Sequence, residues 1–160
     1  MSAGTWRPVV VAAAAAILLA VLGGAITDLG PWYASLNKPD WQPPGPVFGI
    51  VWTTIYSLTA IAAMIAWLRA PKGREREWLL GLFSINGFLN ILWSLLFFRL
   101  QRPDWSLVEV CFLWLSIVSL IIFTARHSRL AGVLLTPYLI WVSLASVLNF
   151  DVVRLNGPFG

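Results

Sequence analysis

The sequence predicts an all-α integral membrane protein, a bundle of five transmembrane helices, and two observations lead to this fold class. Apolar residues make up 59% of the 160 residues and charged residues only 11%, whereas soluble domains contain about 25% charged residues. Five apolar stretches also follow one another, each with roughly the 20 residues that cross the hydrocarbon core of a bilayer. We therefore expect a single membrane domain over residues 1–160.

The distribution of ionisable side chains places the five helices. The cores of the apolar stretches contain only one Asp, Glu, Lys or Arg, which is Glu109 of the fourth stretch. At about 1.5 Å per residue it lies some 6 Å inside its span, where pairing with Arg102 is the simpler expectation and a role in proton coupling the alternative. The expected helices cover about residues 8–27, 47–68, 79–98, 105–125 and 130–153.

Small residues recur at every fourth position of the first span. Close packing of small residues joins helices in lipid, so this stripe can contact another helix of the bundle or a second copy of the chain. An alanine-rich helix also produces such a stripe by chance. The stripe consists of Ala12, Ala16, Ala20 and Gly24.

The connection at residues 28–46 is long and contains five of the ten prolines and two of the ten tryptophans. Its proline density disfavours helix, and its aromatic content argues against disorder. We expect an ordered cap over one end of the bundle; the alternative is an aromatic belt at the lipid headgroups.

Three spans carry aromatic or amide side chains on one face, at 100° per residue. Amides are costly in hydrocarbon unless they are bonded, so these faces are expected to point inward. They either surround a cavity for a flat apolar ligand beneath the 28–46 connection, or they pack while the amides bond across helices. The faces comprise Trp52, Tyr56 and Thr59 in the second span, Asn86, Asn90, Trp93 and Phe97 in the third, and Tyr138, Trp141, Ala145 and Asn149 in the fifth.

Pro137 lies inside the fifth span and is expected to kink it. The carbonyl that this proline leaves without a backbone donor needs a nearby hydroxyl or a water.

Several chemistries have no signature in the sequence. Cys111 is the only cysteine, and His127, the only histidine, falls between two arginines where a solvated loop is expected. Neither a metal site nor conventional acid–base catalysis is therefore predicted. The net charge of +4 comes from loop residues, which a membrane protein gathers for topological reasons, so nucleic acid is not an expected partner.

The loop charges also predict an orientation. Seven basic residues lie on the side of the N-terminus and four on the other. In a bacterial plasma membrane the positive-inside rule then places the N-terminus in the cytoplasm.

Ten tryptophans in 160 residues, in this setting, resemble the TspO/MBR family of tryptophan-rich sensory proteins, translocator proteins and peripheral-type benzodiazepine receptors. The resemblance covers about residues 10–156. The matching pieces are Trp32-Tyr33-x-x-Leu36-x-Lys38-Pro39-x-Trp41-x-Pro43-Pro44, Trp52-x-x-x-Tyr56, Asn86-x-x-x-Asn90-x-x-Trp93, Trp105, Pro137-Tyr138-Leu139-x-Trp141, Ala145 and Leu148-Asn149.

The resemblance implies a receptor or translocator-like protein with a regulatory or stress-response role. It implies a homodimer, with the Gly81–Gly87 region as a second candidate contact, and a pocket inside the helices that the first loop closes. Expected ligands are porphyrins such as protoporphyrin IX and haem, and synthetic isoquinolines and benzodiazepines, with no required cofactor. The implied ligand-binding residues are Tyr33, Trp52, Asn86, Asn90, Trp93, Trp105, Tyr138, Trp141 and Ala145.

Two further points follow from the same resemblance. Some bacterial members degrade protoporphyrin IX in light and oxygen, and the residues implicated match Tyr33 and Trp141, which makes such an enzyme an alternative function. Sterol binding is a weaker expectation because Phe150 replaces the tyrosine of the sterol motif, and such motifs are weak indicators. A membrane scaffold without any ligand is the remaining alternative.

Overall fold

The computed structural model describes residues 3–159, with side chains from residue 8 onward, and every long element in this range is a helix. A π-helical turn at Leu95–Arg99 continues α4. The helices are α1 Ala3–Ile26, α2 Pro31–Ser35, α3 Gly45–Arg69, α4 Arg74–Ser94, α5 Pro103–His127, α6 Arg129–Leu134 and α7 Thr136–Asn156.

Five helical segments are long and apolar enough to cross a membrane, which confirms the predicted fold class. The fifth consists of α6 and α7 together. The helices extend beyond the predicted limits; α4, for example, begins at Arg74 rather than at residue 79. The extra turn contains Glu75 and Glu77, which suit the positive end of a helix but lie outside the apolar run. The orientation across the membrane remains a prediction.

The expectation that prolines exclude helix from residues 28–46 is wrong for one short segment. Helix α2 begins at Pro31, and proline is well suited to a first helical position because its missing N–H would have no partner there. The remainder of the connection is non-helical up to Pro44.

The fifth span is interrupted where Pro137 predicted a kink. Helix α6 ends at Leu134, α7 begins at Thr136, and Pro137 lies in its first turn. The Thr136 hydroxyl donates a hydrogen bond to the carbonyl of Val133, with 2.8 Å between the oxygens. Val133 precedes the proline by four residues, so this is the carbonyl that lacks its backbone donor. The hydroxyl partner is therefore confirmed, and the helix is interrupted where the kink was expected.

Helix α5 is the most enclosed span and packs against α4, α6 and α7. Its buried side chains include Ile117 and Leu120, neither of which is exposed. Helix α1 lies at the edge of the bundle, against α3 and α4. The predicted stripe on α1 is only partly used, because Ala12 and Ala16 are half-buried while Ala20 and Gly24 are exposed.

Two glycines allow helix α1 to approach its neighbours. A Cβ atom at Gly23 would lie 3.6 Å from the Tyr56 hydroxyl, and one at Gly87 would lie 3.3 Å from the side chain of Leu19. Gly87 therefore takes part in packing within the bundle, where a larger residue would displace Leu19.

Candidate functional site

An amide at the centre of the bundle joins three spans. The Tyr56 hydroxyl of α3 donates to Asn90 Oδ1 of α4 at 2.8 Å. Asn90 Nδ2 in turn donates to the Tyr138 hydroxyl of α7 at 3.0 Å. Trp52 stacks on Tyr56 with ring centroids 5.4 Å apart and meets Tyr138 edge to face at 6.1 Å. The three predicted faces therefore do point inward and contact one another.

A second amide joins α4, α5 and α7 nearer the loop. Asn149 is 1% exposed, and its Oδ1 accepts from Trp93 Nε1 at 3.2 Å and lies 2.8 Å from the Ser106 hydroxyl. Asn149 Nδ2 donates to the carbonyl of Pro103 at 2.8 Å. Ser106 was not predicted as a site residue. Its signal in the sequence is its position on the same face of α5 as Val110 and Leu113.

Three other predicted site residues, Asn86, Trp141 and Ala145, lie outside these two hydrogen-bonded clusters. Asn86 Nδ2 donates to Ser116 Oγ at 2.8 Å, on α5 rather than towards Trp52. Trp141 is 9% exposed and meets Phe48 edge to face, with ring centroids 5.4 Å apart. Ala145 is half-buried on the same helix. These residues line the interior beside the Asn90 and Asn149 clusters.

The 28–46 connection is tied to α7, as expected of an ordered cap. The backbone N–H of Asn37 donates to Asn156 Oδ1 at 2.7 Å, and Asn156 Nδ2 donates to the carbonyl of Asn37 at 2.8 Å. Trp41 Nε1 donates to Asp151 Oδ2 at 3.1 Å. These hydrogen bonds at Asn37 and Trp41 hold the connection over the end of the bundle.

Tyr33 is a half-buried residue of this cap. Its ring is 5.6 Å from that of Phe98, the Lys38 ammonium lies 4.4 Å from its centroid, and Gln42 Nε2 is 3.4 Å from its hydroxyl. Burial raises the pKa of Tyr33, while the bond from Gln42 lowers it by less. The phenol therefore keeps its proton at neutral pH and can donate a hydrogen bond.

Aromatic rings connect Tyr33 with the interior. Phe98, which contacts Tyr33, lies 6.1 Å from Trp93 between centroids, and Trp93 packs against the cluster that contains Trp141. The π-helical turn positions Phe97 and Phe98 for these contacts. A cavity of about 120 Å³ lies beside Tyr33, Trp32 and Phe98, which is below the roughly 300 Å³ of the smallest typical ligand pockets.

Trp105 is the predicted ligand residue that the structure does not bring to this cluster. Half of its surface is exposed, and the Arg102 guanidinium lies 4.3 Å above its ring. The buried face of α5 contains Ser106 and Glu109 instead. Trp105 is therefore on the outside of the bundle, near the N-terminal end of α5.

The expected pairing of Glu109 with Arg102 is wrong. Arg102 bonds Asp104, two residues away, while Glu109 is 6% exposed and both of its carboxyl oxygens lack a hydrogen-bond partner among the described residues. The charges nearest in sequence pair with each other because their separation costs almost no chain entropy. An unbonded buried carboxyl is costly.

The expectation of a solvated loop for His127 is also wrong. His127 is the last residue of α5 and its side chain is 11% exposed. Its ring lies 5.4 Å from that of Phe123, and Nε2 is 3.3 Å from Glu75 Oε2. The helix simply continues two residues beyond the predicted end and carries the ring against α4.

In this arrangement the aromatic rings and amides fill the space between α3, α4 and α7 by contacting each other. The packed alternative is therefore the one that the structure shows at this place. A cavity between these helices remains a prediction, and opening it requires the Trp52, Tyr56 and Tyr138 rings to separate. The region offers ring faces and a few hydrogen-bonding groups, and a group of three His, Cys, Asp or Glu suited to a metal does not occur in residues 3–159.

The comparisons with known proteins agree with this architecture. The sequence profile of the TspO/MBR family matches residues 10–155. The tryptophan-rich protein TspO of Chlorobaculum tepidum is 41% identical over 127 residues, which are 78% of this chain and 79% of that protein.

Two other relatives extend the range of the similarity. Protein CrtK of Rhodobacter capsulatus is 36% identical over 133 residues, 83% of each chain. The human translocator protein is 34% identical over 126 residues, 78% of this chain and 75% of its own. Because the profile and these relatives cover most of the molecule, the chain belongs to the TspO/MBR family.

Proposed function

We propose that this membrane protein binds a flat tetrapyrrole, such as protoporphyrin IX or haem, between α3, α4 and α7 beneath the 28–46 connection, and that occupancy has a regulatory role. The observation that supports this most directly is the inward cluster of Trp52, Tyr56, Asn90 and Tyr138, which is tied by two hydrogen bonds. Ring faces stack on a macrocycle, and the amide and phenol groups can bond its polar edge. Isoquinolines, benzodiazepines and, less favourably, sterols are further ligands of the same apolar site.

Binding is proposed to exchange contacts rather than to fill an existing void. The stacked pair of Trp52 and Tyr56 separates to accept the macrocycle, and the ligand then replaces the contacts that the rings lose. The cost of opening makes the affinity dependent on how strongly Asn90 holds the two tyrosines, since a binding-competent state that is sparsely populated lowers the apparent affinity.

A titration of purified protein with protoporphyrin IX in detergent and in the dark tests this proposal. We expect saturable quenching of tryptophan fluorescence, and Trp52→Ala to weaken binding by at least about tenfold, equivalent to 1.4 kcal/mol. Trp67→Ala is the matched control, because Trp67 lies at the far end of α3 beside Arg76. Absence of saturable quenching in the wild type would leave a scaffold without ligand as the function.

Light-driven porphyrin degradation is the second candidate function. The continuous ring contacts from Tyr33 through Phe98 to Trp93 and on to the Trp141 cluster favour it. Indole and phenol are oxidisable groups, and such a chain of contacts can carry an electron between the loop and the interior. Molecular oxygen serves as the final electron acceptor in this candidate reaction.

A homodimer through the outer face of α4 is proposed as the assembly. A Cβ atom at Gly81 would meet nothing within 4 Å, and Ile85 and Phe88 on the same face are 56% and 64% exposed. This favours the Gly81 end of the predicted Gly81–Gly87 region, because Gly87 already contacts α1. A small residue flanked by apolar ones allows two backbones to approach closely.

Replacing Gly81 with leucine is expected to convert a dimer into a monomer by native mass spectrometry, because the side chain separates the two helices. Gly49→Leu is the control, since a Cβ there also meets nothing within 4 Å and α3 lies elsewhere on the surface. A strictly monomeric wild type, or a dimer that Gly81→Leu leaves intact, contradicts this interface.

A further inference from the structure

A groove of about 580 Å³ lies on the outer surface between α4 and α5, apart from the interior cluster. Its wall carries four large apolar side chains and the hydroxyl of Ser119. Trp78 and Ile122 are 52% and 53% exposed, and Leu82 and Phe123 also line the groove. The volume is within the roughly 300–1,000 Å³ of ligand sites. The wall belongs to two transmembrane helices, so a lipid can reach it without entering the bundle.

Two arginines form the polar rim of this groove. Arg74 begins α4 and Arg126 lies in the last turn of α5, and both line the groove. Neither forms a salt bridge within the part of the chain that the structure describes. The Arg126 guanidinium lies 5.7 Å from the Phe123 ring centroid, which keeps it over the apolar wall.

The one acidic residue that lines the groove forms no salt bridge with either arginine among the described residues. Glu75 Oε2 lies 3.3 Å from His127 Nε2 instead. Helix α4 also starts without a side-chain cap, and an uncapped helix start favours an anion. Lys72 lies just before α4 and Arg129 begins α6, at the same end of the two groove helices, which adds positive potential.

We propose that this groove binds one anionic phospholipid. Its phosphate lies between the Arg74 and Arg126 guanidinium groups, and an acyl chain runs along Trp78, Leu82 and Ile122. Basic pockets between transmembrane helices are the typical binding sites of anionic lipid headgroups, and arginine binds phosphate oxygens in a bidentate manner. The site is separate from the interior cluster, so this proposal does not depend on tetrapyrrole binding.

Native mass spectrometry of the delipidated protein with defined lipids tests the proposal. We expect the wild type to retain one dioleoylphosphatidylglycerol at least about fivefold more than dioleoylphosphatidylcholine. The double variant Arg74→Gln/Arg126→Gln is expected to lose this preference. Arg99→Gln/Arg154→Gln is the matched control, because it removes the same charge from exposed residues outside the groove.

Three results would overturn the inference. Equal retention of the two lipids by the wild type shows that the groove does not select an anionic headgroup. Equal loss of the preference in both double variants shows that the net charge of the protein, rather than the groove, attracts the lipid. A third variant, Leu82→Trp, fills the apolar wall without changing charge, and it is expected to lower phosphatidylglycerol retention; unchanged retention also contradicts the site.

Discussion

Replacing Asn149 with leucine is expected to lower the free energy of unfolding by about 1–3 kcal/mol. Leucine keeps the branched shape of asparagine but removes the acceptor of Trp93 Nε1, whereas the Ser106 hydroxyl and the Pro103 carbonyl lose a contact with Asn149 and keep their hydrogen bond to each other. Each buried polar group left without a partner costs about 1–3 kcal/mol. Part of this cost is recovered in the membrane, where interhelical hydrogen bonds average only about 0.6 kcal/mol, so the lower half of the range is favoured.

Asn86→Leu provides the matched comparison on α4. Asn86 donates a single side-chain bond to Ser116, and the Ser116 hydroxyl also lies 2.7 Å from the carbonyl of Leu113. The serine therefore keeps a partner after the substitution, and the expected loss is below about 1 kcal/mol. Thermal unfolding in detergent, followed by tryptophan fluorescence, measures both variants; equal shifts would show that Asn149 does not join three spans energetically.

The predicted faces of the third and fifth spans are the part of the site that the sequence determines most directly. Amides at helical spacing in an apolar stretch have to face protein, and Asn90 and Asn149 do so. The identity of their partners depends on the depth and rotation of each helix relative to the others. Asn86 bonds Ser116 of α5, a pairing that spacing along α4 alone does not specify.

Two positions show what pattern reasoning lacks. Trp105 lies at the start of a span, but Ser106 and Glu109 occupy the buried face of α5. The indole points about 100° away from Ser106 around the helix axis, because the two residues are adjacent. The π-helical turn at Leu95–Arg99 adds a residue to one turn and so changes which side chains face the loop. Hydropathy does not detect such a turn, because all of its first four residues are apolar.

The packed interior also explains why resemblance and structure give different descriptions of the same residues. Resemblance implies a pocket, whereas the rings of Trp52, Tyr56 and Tyr138 contact each other. The two descriptions agree if the ligand site is closed when empty. In the proposed binding mode, occupancy separates these rings and therefore requires α3 to move relative to α7. That movement is the proposed basis of a regulatory signal.

Trp141→Phe is expected to abolish light-driven loss of bound protoporphyrin while changing dark affinity by less than about tenfold, or 1.4 kcal/mol. Phenylalanine keeps an aromatic face against Phe48, whose ring lies 5.4 Å from the indole, and aromatic pairs contribute about 0.5–1.5 kcal/mol beyond area burial. Phenylalanine is much harder to oxidise than indole and cannot take its place in the proposed electron transfer. Binding and degradation therefore separate on this one variant.

The measurement follows the porphyrin absorbance of the complex in oxygenated buffer, illuminated and dark, for the wild type, Trp141→Phe and Trp67→Phe. Trp67→Phe removes one indole far from Trp141, at the Arg76 end of α3. This variant is therefore expected to degrade the porphyrin at the wild-type rate. Loss of porphyrin at an equal rate in all three proteins assigns the reaction to free photochemistry of the ligand. Tight dark binding without light-driven loss in the wild type leaves a receptor, in which Trp141 closes the wall beside Phe48 and needs only an aromatic ring to do so.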